Sequence, residues 1–257
     1  MERLSNTKNT PSGISSHAIR IWGLLFLAAG AIGQGLIQTR LLGVGSADMQ
    51  QLLAAMDANM GAATAAIVLQ IIETCATPIF AFLLVEGFRR TSDFKKYLLR
   101  VLAVAAVSEI PYNLALSNQL VDMQTRNPVF GVALCLVMLH FYARYPGRSI
   151  KNVLVKIVVT LAALVWMRML NVVNGNCLVL IVAGIWVFKK KPLMRTYGGA
   201  MVAIMCSVLN PMYMASPMGF LLLHGYNGEK GNDNRLVSYA AYPILLSLVA
   251  AACWLVF

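Results

Sequence analysis

Three charged side chains fall inside strongly apolar stretches of this sequence, where an ionisable group is energetically costly. Glu73, Glu109 and Arg168 each stand in a run of apolar residues long enough to cross a membrane. Two carboxylates and one guanidinium leave a net negative charge, and a low dielectric then favours a proton on one carboxylate. The pattern is typical of acid–base or proton-relay chemistry. The alternative is that the three charges neutralise one another and hold a helix bundle together.

Uncharged polar side chains extend this set into a layer. At about 1.5 Å of helical rise per residue, five of the polar side chains lie about 18–24 Å from the basic ends of their helices. Gln70 and Thr77 are three and four residues from Glu73, so they share its helix face. We therefore predict Glu73, Glu109 and Arg168 as catalytic residues. The predicted polar cavity beside them, in the outer half of the bilayer, is lined by Gln34, Gln70, Thr77, Asn113 and Asn210.

The composition indicates which elements position these side chains. Of the 257 residues, 59% are hydrophobic and 12% are charged, which excludes an ordinary water-soluble domain. Apolar stretches of about 20 residues recur from residue 19 to residue 257 with short polar breaks. The sequence therefore predicts an all-α polytopic membrane protein with eight or nine transmembrane helices. A cytoplasmic tail, residues 1–18, precedes a single transmembrane domain, residues 19–257.

The number of spans depends on one segment. Residues 211–226 contain two prolines and have about 24 Å of helical reach, which suits a short span or a re-entrant hairpin. If the segment crosses, the chain has nine spans and the polar turn after it lies on the same side as the N-terminus. We favour this crossing. Between the first two spans, residues 46–60 form an interfacial amphipathic helix or a loop. The other predicted spans are residues 19–38, 62–88, 97–116, 128–142, 153–169, 177–188, 197–209 and 239–257.

The formal charge of +11 is concentrated in every second connection between spans. By the positive-inside rule this pattern places the N-terminus in the cytoplasm and leaves no role in nucleic acid binding. The five cysteines lie in apolar stretches without CxxC spacing, so we expect buried thiols and no disulfide framework. No metal-binding constellation, phosphate-binding glycine loop or nucleophile elbow is present in the sequence.

Several phrases in the sequence resemble one family of membrane proteins. They are PIFAFLLVEG at residues 78–87, Thr91, KYLLR at 96–100, SEIPY at 108–112, YNGEKG at 226–231, and Tyr242 with Pro243. Their order and spacing are similar to the TraX family over almost the whole chain. The resemblance implies an acetyltransferase of the bacterial cytoplasmic membrane that uses acetyl-coenzyme A. Its acceptor would be pilin or another cell-surface molecule.

The chain also departs from that family pattern, which makes it a divergent member. An Asp-His pair in the first span of relatives corresponds here to Gly30-Ala31, and a histidine after the Tyr-Pro pair corresponds to Leu245. An arginine before the PIF phrase is replaced by Thr74. The sequence therefore leaves open whether the chain is an enzyme. The alternatives are a non-catalytic assembly factor and a small-molecule transporter, although no internal repeat favours transport.

Basic residues in two connections could bind the phosphates of an anionic donor. They are Arg89, Arg90, Lys95, Lys96 and Lys230. Membrane insertion also requires basic cytoplasmic loops, so the same residues have a second explanation.

Overall fold

The computed structural model describes residues 13–45, 49–147, 149–189, 191–231 and 234–256. These ranges are mostly helical, and their only β pairings are two isolated bridges. The helices are α1 (Ser16–Ala31), a π-helical continuation (Ile32–Leu41), α2 (Met49–Ala58), α3 (Met60–Glu73), α4 (Ala76–Arg90), α5 (Phe94–Leu116), α6 (Pro128–Arg144), α7 (Ile150–Met169), α8 (Gly175–Val187), α9 (Pro192–Met205), two 3₁₀ helices (Cys206–Val208 and Pro211–Met218), α10 (Gly219–His224) and α11 (Arg235–Val256).

Five helical segments of the described chain are long and apolar enough to cross a membrane: Ser16–Leu41, Met60–Arg90, Phe94–Leu116, Ile150–Met169 and Val237–Val256. Pro128–Arg144 and Gly175–Val187 are shorter apolar helices. The protein is therefore an all-α, multi-pass membrane protein. The eight or nine crossings and the cytoplasmic N-terminus stay predictions.

The second span is broken near its middle, where the sequence predicted one continuous helix. Thr74 and Cys75 separate α3 from α4, and their backbone N–H groups bond three residues back, to Ile71 and Ile72. Pro78 explains the break, since it has no N–H to donate to the Thr74 carbonyl. The Thr74 hydroxyl donates to the Ile71 carbonyl at 2.7 Å, so a side chain also binds a backbone carbonyl beside the break.

Helix α8 lies at the centre of the bundle, in contact with α4, α6, α7 and α9. Its sequence is apolar on every side, and Val179, Ile181, Val182 and Ile185 are fully buried. A helix that is hydrophobic all round belongs in the interior. The five cysteines are free and buried, as predicted.

Residues 46–60 contain a helix, α2, so the loop alternative is wrong and the interfacial position of the helix stays a prediction. Within them, α2 places Leu52 in full burial against Ala63 and Ala66 of α3. Residues 46–48 lie outside the described part of the chain.

The N-terminal segment pairs with the polar turn after α10. Ile14 N–H donates to the Gly225 carbonyl at 2.7 Å, and Asn227 N–H donates to the Ile14 carbonyl at 3.1 Å. His17 N–H donates to the Lys230 carbonyl at 3.2 Å, one residue into α1. Helix α1 begins at Ser16, within the predicted tail of residues 1–18, and the tail itself stays a prediction. Residues 1–12 lie outside the described chain.

The turn at residues 225–231 therefore lies on the same side of the bundle as the start of α1. Arg90, at the end of α4, donates to the Tyr226 hydroxyl at 3.0 Å and to the Gly228 carbonyl at 2.8 Å. We call this end the N-terminal face, and the opposite end, which carries residues 117–127 and Asn171–Asn174, the distal face. These bonds place the turn beside the start of α1, whereas its cytoplasmic side and the nine spans stay predictions. Asn232, in the same predicted loop, lies outside the described residues.

Single cysteines on the two faces test the orientation. In a background with the five native cysteines replaced, Glu229→Cys and Gln119→Cys place exposed thiols on the N-terminal and distal faces. We expect an impermeant thiol reagent to label Glu229→Cys only in inverted membrane vesicles. The same reagent should label Gln119→Cys only in intact cells. Labelling of both variants from one side would contradict the nine-span topology.

Candidate functional site

Glu73 is the last residue of α3 and stands directly before the break in the second span. Its carboxyl group packs against Gly30 of α1, where an added Cβ atom would overlap it. Within the described chain, Glu73 has neither a hydrogen bond nor an ion pair with another side chain. An acidic group therefore lies inside the span with no ion-pair partner among the residues that the structure describes.

Three tyrosines lie around Glu73. Tyr112 and Tyr213 are buried, Tyr242 is half-buried, and each is within electrostatic reach of the Glu73 carboxylate. Tyr213 also shares a hydrogen bond of 2.9 Å with the Thr77 hydroxyl. A phenol can donate and accept hydrogen bonds, so these tyrosines add polar groups to the surroundings of Glu73.

A short hydrogen-bonded chain leads from Tyr242 towards α5. The Tyr242 hydroxyl donates to Asn127 Oδ1 at 3.1 Å, and Asn127 Nδ2 donates to Ser108 Oγ at 2.7 Å. Asn127 is fully buried and also caps α6 by accepting from Val129 N–H at 3.0 Å. The cap fixes the amide in place, so the hydroxyl of Tyr242 has a rigid acceptor.

Glu109 belongs to a different ion pair from the predicted one. Arg126, in the loop between α5 and α6, approaches it at 3.5 Å. Arg168 is exposed on α7 and makes no ion pair with any described residue. The prediction of Arg168 as the cationic partner is therefore wrong. Counting residues along a helix gives no information on which face a side chain occupies, and Arg168 is on an exposed part of α7.

Asp122 organises the loop that carries Arg126 and Asn127. The Asp122 carboxylate accepts from the Ser117 hydroxyl at 2.5 Å, from Gln124 N–H at 2.7 Å and from the Thr125 hydroxyl at 2.8 Å. Burial opposes ionisation, but these hydrogen bonds outweigh it and hold the pKa of Asp122 below its usual range.

Removing that carboxylate should destabilise the protein in a pH-dependent way. The lowered pKa of Asp122 means that its contribution is fully present above the usual range of an aspartate. It is lost as the pH falls through the folded-state pKa. We expect Asp122→Asn to lower the free energy of unfolding by on the order of 1 kcal/mol at pH 7. The difference from the native chain should vanish in acid, as measured by thermal unfolding in detergent, whereas exposed Asp57→Asn should have little effect at any pH. A pH-independent difference would contradict this assignment.

The other predicted polar residues join several local networks. Gln70 donates to Gln38 at 2.7 Å, Asn113 to the Leu120 carbonyl at 3.3 Å, and Asn210 to Asn174 at 3.0 Å. Gln34 is half-buried in the π-helical segment. Thr77, through Tyr213, belongs to the surroundings of Glu73. Asn113 and Asn210 instead stabilise the distal face.

The basic residues predicted to bind a donor lie on the N-terminal face, where several are already engaged. Glu86 forms ion pairs with Arg89 at 3.3 Å and with Arg90 at 2.8 Å. Lys96 pairs with Asp93 at 3.3 Å. Lys95 and Lys230 are exposed. Arg90 therefore holds the turn after α10 in position, in addition to contributing charge.

Sequence reasoning missed Tyr112, Tyr242, Asn127 and Arg126 as site residues. The two tyrosines stand in the phrases SEIPY and Tyr-Pro, which carry the family resemblance but no chemical signal of their own. Asn127 and Arg126 carried no signal, because only the fold of the loop brings them towards α5 and α11.

The fold and the site together define a multi-pass helical membrane protein whose interior holds tyrosines and a carboxyl group without an ion pair among the described residues. A family model described as TraX protein matches residues 52–251, which is most of the chain. The chain belongs to the TraX family. No curated protein and no solved structure matches it.

Proposed function

We propose that this protein transfers an acyl group, acetyl by family resemblance, from a coenzyme A thioester to a cell-surface acceptor such as pilin. The proposed location is the bacterial cytoplasmic membrane. The observation that carries the proposal is Glu73, a carboxyl group inside a span with no cationic partner in the described chain. Such a group is costly in a membrane and is usually retained for function.

The purely stabilising explanation of the three charged residues loses its support. It requires Glu73, Glu109 and Arg168 to neutralise one another, whereas Arg168 is exposed and Glu109 pairs with Arg126. Glu73 then adds no ion pair to the bundle. An unpaired acid beside tyrosines is better suited to accepting and returning a proton.

The departure at Gly30 also supports a role for Glu73. By the family resemblance, position 30 corresponds to the aspartate of an Asp-His pair. In this chain the Glu73 carboxyl group fills the space that a side chain at position 30 would need. A carboxyl group from α3 therefore lies where the family resemblance would place the aspartate of α1.

The proposed step is an addition–elimination at the thioester. The oxygen or nitrogen of the acceptor attacks the carbonyl carbon, and the acceptor proton moves to the Glu73 carboxylate. The carbon–sulfur bond then breaks, and the thiolate leaves with the proton returned by Glu73. Tyr112 and Tyr242 lie within electrostatic reach of this carboxylate and add polar groups to its surroundings.

The charge distribution supports entry of the donor at the N-terminal face. Arg89, Arg90, Lys95 and Lys96 lie around the turn between α4 and α5, and Lys230 lies on the neighbouring turn. An anionic thioester is attracted to this face by its phosphates.

Acetyl transfer in membranes tests the function. Membranes from cells with and without the protein receive acetyl-coenzyme A labelled in the acetyl group. We expect protein-dependent label on a cell-surface polypeptide or glycan. Absence of protein-dependent label on any membrane or periplasmic fraction would overturn the proposal.

A non-catalytic assembly factor is the second candidate, favoured by Gly30-Ala31 in place of the Asp-His pair. This candidate predicts that the acceptor co-purifies with the protein but remains unlabelled in the same experiment.

A further inference from the structure

A cavity of about 310 Å³ opens on the N-terminal face beside the residues predicted to bind the donor. The first turn of α9, the end of α10 and the turn after it form its walls. The residues that matter for recognition are Arg195, Thr196, His224 and Tyr226, and Leu193 and Leu223 supply an apolar part of the lining.

Arg195 contributes a guanidinium group to this cavity whose N–H donors are not used by the described residues. Its guanidinium is half-buried and lies 4.6 Å above the centre of the Phe82 ring. Among the described residues, no hydrogen bond or ion pair occupies its N–H groups. Glu86 is within its electrostatic reach but is bonded by Arg89 and Arg90. The guanidinium is therefore oriented by stacking while its donors remain available for a ligand.

The neighbouring polar groups suit an anion. The Tyr226 hydroxyl accepts a hydrogen bond from Arg90 at 3.0 Å, which leaves its own proton to be donated. Its ring packs edge-on against Phe82 at 5.1 Å, so both Arg195 and Tyr226 are held by one aromatic residue. His224 is exposed at the same opening and adds a further imidazole N–H.

We propose that this cavity binds the phosphate groups of a phosphorylated ligand. Arg195 would provide the bidentate contact, and Tyr226 and His224 would provide single hydrogen bonds. We name the ligand as the nucleotide end of the acyl donor, and this identification rests on the proposed function.

The position of Phe82 adds a constraint on that ligand. Phe82 and Glu73 are nine residues apart along the second span, with the break at Thr74 and Cys75 between them, which is on the order of 14 Å along the chain axis. A donor whose phosphates lie above Phe82 must therefore carry its acyl group on an extended arm of about that length. A thioester at the end of a pantetheine-type arm belongs to this class, whereas a compact acyl phosphate does not.

Binding of labelled coenzyme A to the purified protein in maltoside micelles tests the site. We expect Arg195→Gln to weaken binding by about tenfold or more, and Arg195→Lys to restore part of the affinity. Arg144→Gln, an exposed arginine at the end of α6, is the matched control and should bind normally. Inorganic pyrophosphate should compete with coenzyme A. Native thermal stability of each variant shows that folding is intact.

The competing outcomes separate the cavity from the function. Binding of coenzyme A that is unchanged in Arg195→Gln would overturn the assignment of the cavity, while leaving the proposed acyl transfer standing. If coenzyme A fails to bind but phosphatidylglycerol in mixed micelles binds in an Arg195-dependent way, the phosphate site is supported with a lipid headgroup as its ligand. That result would overturn the coenzyme A donor.

Discussion

Replacing Glu73 by glutamine should lower the rate of acyl transfer by at least about 100-fold, since the side chain keeps its size but no longer accepts a proton. The Glu73 carboxyl group is the group that packs against Gly30 of α1. The measurement is the rate of label transfer from acetyl-coenzyme A in membranes, normalised to the amount of folded protein. Arg168→Gln should leave this rate unchanged, because Arg168 is exposed on α7.

Glu109→Gln is a second substitution to compare with Glu73→Gln. It removes the partner of Arg126 and should affect mainly thermal stability. The opposite pattern, in which Glu73→Gln stays fully active and only loses stability, would return Glu73 to a structural role.

Replacing Gly35 by valine should destabilise the folded protein strongly. Gly35 lies in the π-helical end of the first span, where a Cβ atom would overlap the backbone carbonyl of Ala115 in α5. Backbone cannot move aside as a flexible side chain can, so the two helices must separate. We expect a loss of about 1–3 kcal/mol in the free energy of unfolding, or failure to fold.

Gly61→Val is the matched control for Gly35→Val. A Cβ atom at Gly61 meets no other atom within 4 Å, so the same substitution there should change thermal unfolding in detergent far less. Equal effects at the two positions would contradict the close approach of the first span to α5.

The helices and their approximate bounds could be predicted because apolar length is a local property. The break in the second span also had a local signal, Pro78, but one proline in a long apolar stretch is compatible with a continuous helix as well. The sequence of α8 is uniformly apolar, which is typical of a buried helix. Its position at the centre of the bundle is set by the neighbouring helices and could not be read from its sequence alone.

The candidate site was only partly predictable. Counting residues gives the approximate position of a side chain along its helix, and Glu73 and Glu109 both lie within helical segments long and apolar enough to cross a membrane. Rotation about the helix axis and loop conformation are set by packing, so Arg126 took the place expected for Arg168.

Arg195 shows the same limit on the N-terminal face. It was one of many basic residues in the sequence, and nothing local distinguished it from Arg89 or Arg90. The ion pairs of those two arginines with Glu86, and the stacking of Arg195 on Phe82, make the distinction.

The most direct test of the proposed reaction is one-sided release of coenzyme A in proteoliposomes with the acceptor present. Acetyl-coenzyme A is supplied either outside or inside vesicles of known protein orientation, and the free thiol is measured. We predict release only when the donor meets the N-terminal face, and almost none with Glu73→Gln. Release that is independent of Glu73, or equal from both faces, would contradict an acyl transfer that runs from the N-terminal face through Glu73.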